Sequence, residues 1–268
     1  MKSQYWRKVR TVFFILVVTY LVAGILLYFL QDLLLFHPLP KKMNYQYQFN
    51  QNFEELNIPV GERNLNIIKF KPAGETKGLV IFFHGNMKNV EHYKKYPGFF
   101  ISKNFEVWMP DYPGFGKSTG ERTEENIYFD ARLVYDLATQ SNNTNNILIY
   151  GKSIGTGVAA YLASVKPCKS LVLETPYYNI DALAGSYVPF YPVTAMTRYS
   201  FPVNLYIKNT SVPVTIFHGM DDEVVPFSHS LRLKKEKDDV ELIKIEKGRH
   251  NNLSSFPIFI TTLDSLLR

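Results

Sequence analysis

The chain has 268 residues, 46% of them hydrophobic, a formal net charge of +6 and one cysteine. That apolar content excludes a mainly disordered chain, and the lone Cys168 excludes both an intrachain disulfide framework and a multi-cysteine zinc site. The charge is modest and scattered, with no basic stripe interleaved with aromatics, so nucleic acid is not an expected partner.

The first ten residues form a basic flank (1–10) carrying Lys2, Arg7, Lys8 and Arg10. Residues 11–30 follow as TVFFILVVTYLVAGILLYFL, without a charge and about 20 residues long, enough to cross a bilayer as one helix. The apolar run is longer than a secretory h-region and no small-x-small cleavage site follows it, so it reads as an uncleaved signal anchor. A buried helix of a soluble domain fits poorly, because the run is apolar all the way round. Basic residues before the run outweigh the flank that begins at Asp32, which places the N-terminus in the cytoplasm and the following domain on the other side. Residues 31–52 read as a linker. Within it, Leu33 to Pro38 either prolongs the helix or docks the anchor against the domain, and His37 is a packing or interfacial histidine. The remaining chain, roughly 225–230 residues after the anchor, suits one large α/β domain at 53–268.

Phe53 to Ile58 and Asn64 to Phe70 are predicted antiparallel strands around a turn at 59–62. Leu79 to Phe83 is fully apolar, as a central strand buried on both faces must be, and it ends at His84-Gly85-Asn86. A helix interrupted at Pro97-Gly98 is predicted for 93–104, a strand for 105–109 ending at Pro110-Asp111, and an amphipathic helix for 124–139. Ile147 to Tyr150 is a buried strand that turns through Gly151-Lys152-Ser153-Ile154-Gly155 into a helix of small residues. Strands at 171–173, 214–217 and 240–245, a polar helix at 228–237 and a closing helix from about Ser255 complete the alternation. Strands alternating with helices predict a doubly wound, mainly parallel sheet. Cys168, after Pro167 near a helix end, reads as structural.

Ligands bind at the carboxyl ends of parallel strands, and four such ends carry polar residues: His84, Ser153, Asp222 and His250. Gly151-x-Ser153-x-Gly155 between strand and helix fits a nucleophile elbow, whose strained turn leaves no room for Cβ atoms on either side of the serine. A serine hydroxyl needs an imidazole to take its proton and an acid to hold that imidazole. The chain order Ser153, Asp222, His250 fits this. Asp221 and Glu174 remain alternatives to Asp222 as the acid. His250, on a glycine-bearing loop after the last strand, is favoured over His37, His84, His92, His218 and His229. Two backbone N–H groups, of Ile154 and Asn86, are expected to form an oxyanion hole, the plainer reading of His84-Gly85-Asn86 being a turn. Asp111 is read as bracing its loop.

The motifs FFHGN (82–86), DYPGFGKS (111–118), GKSIG (151–155), HGMDDEVVP (218–226) and GRHNN (248–252) resemble those of the α/β-hydrolase superfamily, over the chain from about residue 53 onward. Among its branches, the chain is similar to small membrane-anchored hydrolases of serine aminopeptidase-like and depalmitoylase-like type. The resemblance implies the α/β-hydrolase fold and serine hydrolase activity with Ser153, Asp222 and His250 as triad, and neither a metal nor an organic cofactor. Residues 176–212, rich in Tyr, Phe and Pro, are expected to form a small cap over the strand ends. Its aromatics serve an acyl chain or simply pack the cap; beside a membrane tether, the first use favours a small-molecule, lipid-like or acylated substrate. A serine esterase or thioesterase is the leading expectation, a serine peptidase of the same fold the second, and a non-catalytic membrane-tethered binding protein the third.

Overall fold

The computed structural model describes residues 2–268. Met1, the first residue of the expected basic flank, lies outside the described residues, as do the side chains of Lys2 and Ser3. Helix α1 (Lys2–Phe29) takes in the flank as well as the apolar run. Within it, Gln4–Phe29 is long and apolar enough to cross a membrane, with a mean hydropathy of 2.6 and no residue of its most apolar window buried by the domain. Asp32, the first charged residue after the run, lies in the short α2 (Gln31–Leu35).

The expected linker 31–52 does more than connect. After α2, strand β1 (His37–Pro38) pairs in parallel with β5 (Met87–Lys88), and Phe36 is buried against Phe115 and Tyr199. Both readings of Leu33 to Pro38 hold in part: Leu33 to Leu35 stay helical in α2, and Phe36 to Pro38 dock on the domain.

The domain is built on an eight-stranded sheet. Its first strands, β2 (Phe53–Val60) and β3 (Arg63–Phe70), are antiparallel, and β3 pairs antiparallel with β6 (Phe105–Pro110). Strands β4 (Gly78–Phe83), β7 (Ile147–Lys152), β8 (Ser170–Glu174), β9 (Val214–Gly219) and β10 (Val240–Ile245) are parallel to one another and to β6, in the order β10-β9-β8-β7-β4-β6-β3-β2. The central strands are apolar at every position because both faces are covered. Leu79, Ile81, Phe83, Ile147 and Ile149 point into one core, with α4 (Glu124–Ala138) and α5 (Gly155–Val165). Val80, Phe82, Leu148 and Tyr150 point into the other, with α3 (Pro97–Ile101) and α10 (Pro257–Leu266). The helix expected at 93–104 is reduced to a 3₁₀ turn, Val90–Tyr93, and α3, because Pro97 has no N–H to continue a helix from the preceding turn. The polar helix expected at 228–237 is the shorter α9 (Ser228–Lys234). The cap comprises α6 (Ile180–Tyr187), α7 (Val193–Met196) and α8 (Val203–Asn209), lying between β8 and β9 in the chain.

Candidate active site

Strand β7 delivers Ser153 to the sheet's carboxyl edge and α5 begins two residues later. Ser153 holds φ at +52°, a left-handed conformation that a side-chain-bearing residue keeps only when its surroundings enforce it. Its N–H donates to Glu174 O at 2.9 Å, and the Thr156 hydroxyl donates to its carbonyl at 2.6 Å. The flanking glycines are steric necessities. A Cβ on Gly151 would lie 2.7 Å from the Ala159 side chain and 2.6 Å from Gly155 O, and one on Gly155 would overlap the carbonyl oxygens of Phe83 and His84.

The loops after β9 and β10 close on this turn. Gly219 packs so tightly on Gly248 that a Cβ there would overlap the Gly248 carbonyl. That contact sets the β9 loop, carrying Asp222, against the β10 loop, carrying His250. His250 Nε2 lies 3.0 Å from Ser153 Oγ, and its Nδ1 lies 2.9 and 3.1 Å from the two carboxylate oxygens of Asp222. An ionised carboxylate only accepts, so Nδ1 carries the proton and Nε2 is left to accept from the serine hydroxyl. The Asp222 carboxylate also accepts the N–H groups of Val224 and Val225, each at 2.8 Å, and faces His218 Nε2 at 3.3 Å. Burial alone would raise the Asp222 pKa. Hydrogen bonds from His218 and His250, the attraction of His250 and the Val225 N–H outweigh it and hold the carboxyl well below the usual range.

The other candidates lie elsewhere. Asp221 is exposed, with its N–H on Gly248 O. Glu174 is buried behind the turn, where it accepts from Lys152 Nζ (2.7 Å), Tyr150 (2.6 Å) and Tyr96 (2.9 Å). Burial would raise its pKa, but the Lys152 ammonium and these hydrogen bonds keep it below the ordinary value. His84 Nε2 meets Asp111, which also accepts the Val90 N–H, so the Asp111 carboxylate braces the loop after β4, whereas it was expected to brace its own. His218 binds Ser230 and Val225 O, and His37 is exposed. His229, within the helix expected at 228–237, is buried and accepts the Tyr178 N–H. Sequence reasoning did not anticipate what Lys152 does: its second hydrogen bond, 3.0 Å to His250 O, joins the serine turn to the histidine loop.

Ser153, Ile154 and Asn86 line one cavity of about 470 Å³, within the usual range for ligand pockets. Among the described residues, neither the Ile154 N–H nor the Asn86 N–H has an acceptor. Asn86 is held from behind. Its side chain donates to Leu35 O at 2.9 Å and its carbonyl accepts from His37 N at 2.9 Å. The arrangement can take a proton from a serine hydroxyl at one side of the cavity and offer N–H donors at the other. Among the described residues, no group of three His, Cys, Asp or Glu side chains is placed to hold a metal ion.

Residues 74–209 match the family described as serine aminopeptidase, S33. The chain is 29% identical over 217 residues to Protein ABHD12B of Homo sapiens, a match covering 70% of this chain and 60% of the relative. It is 32% identical over 194 residues to alpha/beta hydrolase domain-containing protein 17C of Xenopus tropicalis, covering 70% of this chain and 61% of the relative. The chain thus spans about three fifths of the length of these relatives. In structure it resembles an esterase of Pyrococcus furiosus (TM-score 0.66, 19% identity, 87% of this chain and 97% of that one). It also resembles Est1E of Butyrivibrio proteoclasticus with ferulic acid bound (TM-score 0.61, 20% identity, 79% and 96%). At these identities the structural likeness speaks for the fold.

Proposed function

The chain belongs to the serine aminopeptidase S33 family, within the α/β-hydrolase superfamily, and from that premise we propose that it is a membrane-anchored serine hydrolase of carboxylic esters or thioesters. The observation that carries this reading is the hydrogen-bonded series Ser153–His250–Asp222, whose serine lines the cavity. His250 accepts the hydroxyl proton as Ser153 Oγ attacks the substrate's carbonyl carbon. Charge develops on the carbonyl oxygen, where the N–H groups of Ile154 and Asn86 receive it. Collapse breaks the bond to the leaving alcohol or thiol, which takes the proton from His250 and leaves an acyl ester on Ser153. Water, deprotonated by His250, then attacks that ester, releasing the carboxylic acid and restoring the hydroxyl.

An ester or thioester is favoured over a peptide by the cavity wall. Among the described residues that line it, none is charged, so no carboxylate there pairs with a substrate's amino group. The retention of all three triad side chains favours an enzyme over a binding protein on the same scaffold. We assign α1 as the anchor, with the basic flank in the cytoplasm and the domain on the far side. Mass spectrometry of the Ser153 peptide after brief incubation with esters, thioesters and aminoacyl amides tests the reaction class. An acyl adduct from esters and thioesters is expected. An adduct from amides alone would establish the peptidase reading instead.

A further inference from the structure

The cap and the membrane helix touch far above the end of that helix. Tyr20 stacks on Tyr191 with ring centroids 4.5 Å apart, the Tyr20 hydroxyl donates to Phe190 O at 2.8 Å, and the Tyr191 hydroxyl donates to Tyr20 O at 3.0 Å. Tyr20 stands nine residues before Phe29, which is about 13 Å along a helix axis. It is also the middle of the uncharged run 11–30. Residues 182–197 of the cap are uncharged too, and Phe190 at their tip is 86% exposed.

Three of the four charges that bound these two uncharged stretches, all but Arg10, are drawn together by a set of polar contacts. Asp32, the first charge after α1, pairs with Arg198, the first after the cap segment, at 3.3 Å, and accepts from Tyr199 at 2.6 Å. Asp181, the last charge before the cap segment, is joined to Thr197. Gln31 joins the same set, donating to Met196 O and accepting from Arg198 N, each at 2.8 Å. This set of polar groups therefore divides the charged domain from α1 and the cap tip together. Pro189 and Pro192 have no N–H, the N–H groups of Val188, Tyr191 and Val193 are bonded within the cap, and among the described residues the Phe190 N–H has no acceptor.

We propose that the cap tip, residues 187–196, is inserted in the bilayer leaflet beside α1, and that the cavity takes an acyl chain sideways from that leaflet. Leu27 and Leu34, before the domain, and Val188 and Val193 of the cap line the same cavity as Ser153. Leu27 belongs to the membrane run itself, so the part of the cavity it lines lies at the depth of the lipid tails. The helix is a wall of the site as well as its tether. The substrate class is an ester whose acyl chain resides in the leaflet, presented with its carbonyl at these polar groups. This rests on the serine hydrolase reading for the reaction, but the position of the tip does not depend on it.

Full-length protein in phosphatidylcholine vesicles tests both parts. In Phe190→Cys carrying an environment-sensitive fluorophore, with Cys168→Ser as background, nitroxides on lipid acyl chains should quench strongly and aqueous iodide weakly. Quenching by iodide with none by the lipid nitroxides would overturn the insertion. For entry, Phe190→Asp should lower hydrolysis of a long-chain glycerol ester in vesicles at least tenfold while leaving a water-soluble short-chain ester unchanged. Equal rates for variant and wild type on both esters would overturn lateral entry. A photoreactive acyl lipid in the bilayer should label the wall at Leu183 or Met196, and labelling confined to α1 would contradict entry even in a catalytically dead protein. If wild type hydrolyses neither ester, the hydrolase reading fails, while quenching and photolabelling still decide where tip and chain lie.

Discussion

Lys152 occupies the second position of the serine turn with its ammonium buried, tied to Glu174 and to the carbonyl of His250. Removing one partner of a buried ion pair strands the other, at a cost of about 3–5 kcal/mol. Lys152→Met should therefore lower unfolding stability in urea by that order, and Glu174→Gln added to it should restore a substantial part. His229 makes a second residue-scale prediction. Burial, with Arg232 and His218 nearby, pushes its pKa down to about 4. The unfolded chain takes that proton near the ordinary histidine value of about 6.5. Stability is thus full above about 6.5, falls as the pH is lowered toward 4, and is level in this respect below it. A His229→Asn variant should flatten that part of the urea-midpoint profile; an unchanged profile would mean another group carries it. Sequence reading reached Ser153 because the glycines around it are a local steric signature. Asp222 and His250 were reached through strand ends and chain order. The bond from Lys152 to His250 O joins residues 98 apart, and no local pattern announces it.

At the scale of elements, β1 and β5 are two residues each, too short to show alternation in sequence, so 31–52 read as a linker. Their pairing links the N-terminal helices to the loop bearing Asn86. Phe36, buried on the domain, secures that link, and Phe36→Ala should cost about 3–5 kcal/mol in unfolding stability. Asn86→Ala keeps the backbone N–H but loses the bond to Leu35 O. Its kcat on a soluble short-chain ester should fall by less than the roughly 10²–10³-fold that follows outright loss of an oxyanion donor. An unchanged kcat would show that the tether does not position the loop. The central strands were legible because burial on both faces leaves unbroken apolar runs, whereas the cap's short helices, set between prolines, carry too few turns for a periodic signal.

At the scale of the whole molecule, the sheet brings Ser153, His250 and Asp222 together at one edge, and the Asp32–Arg198 pair ties the chain after α1 to the end of the cap. The most direct test of this account is covalent labelling with a fluorophosphonate, comparing wild type with Ser153→Ala, His250→Ala and Asp222→Asn. The account predicts labelling of wild type, none of Ser153→Ala, and strongly slowed labelling of the other two. Labelling that persists in a folded Ser153→Ala protein, or that proceeds at the wild-type rate in His250→Ala, would contradict it.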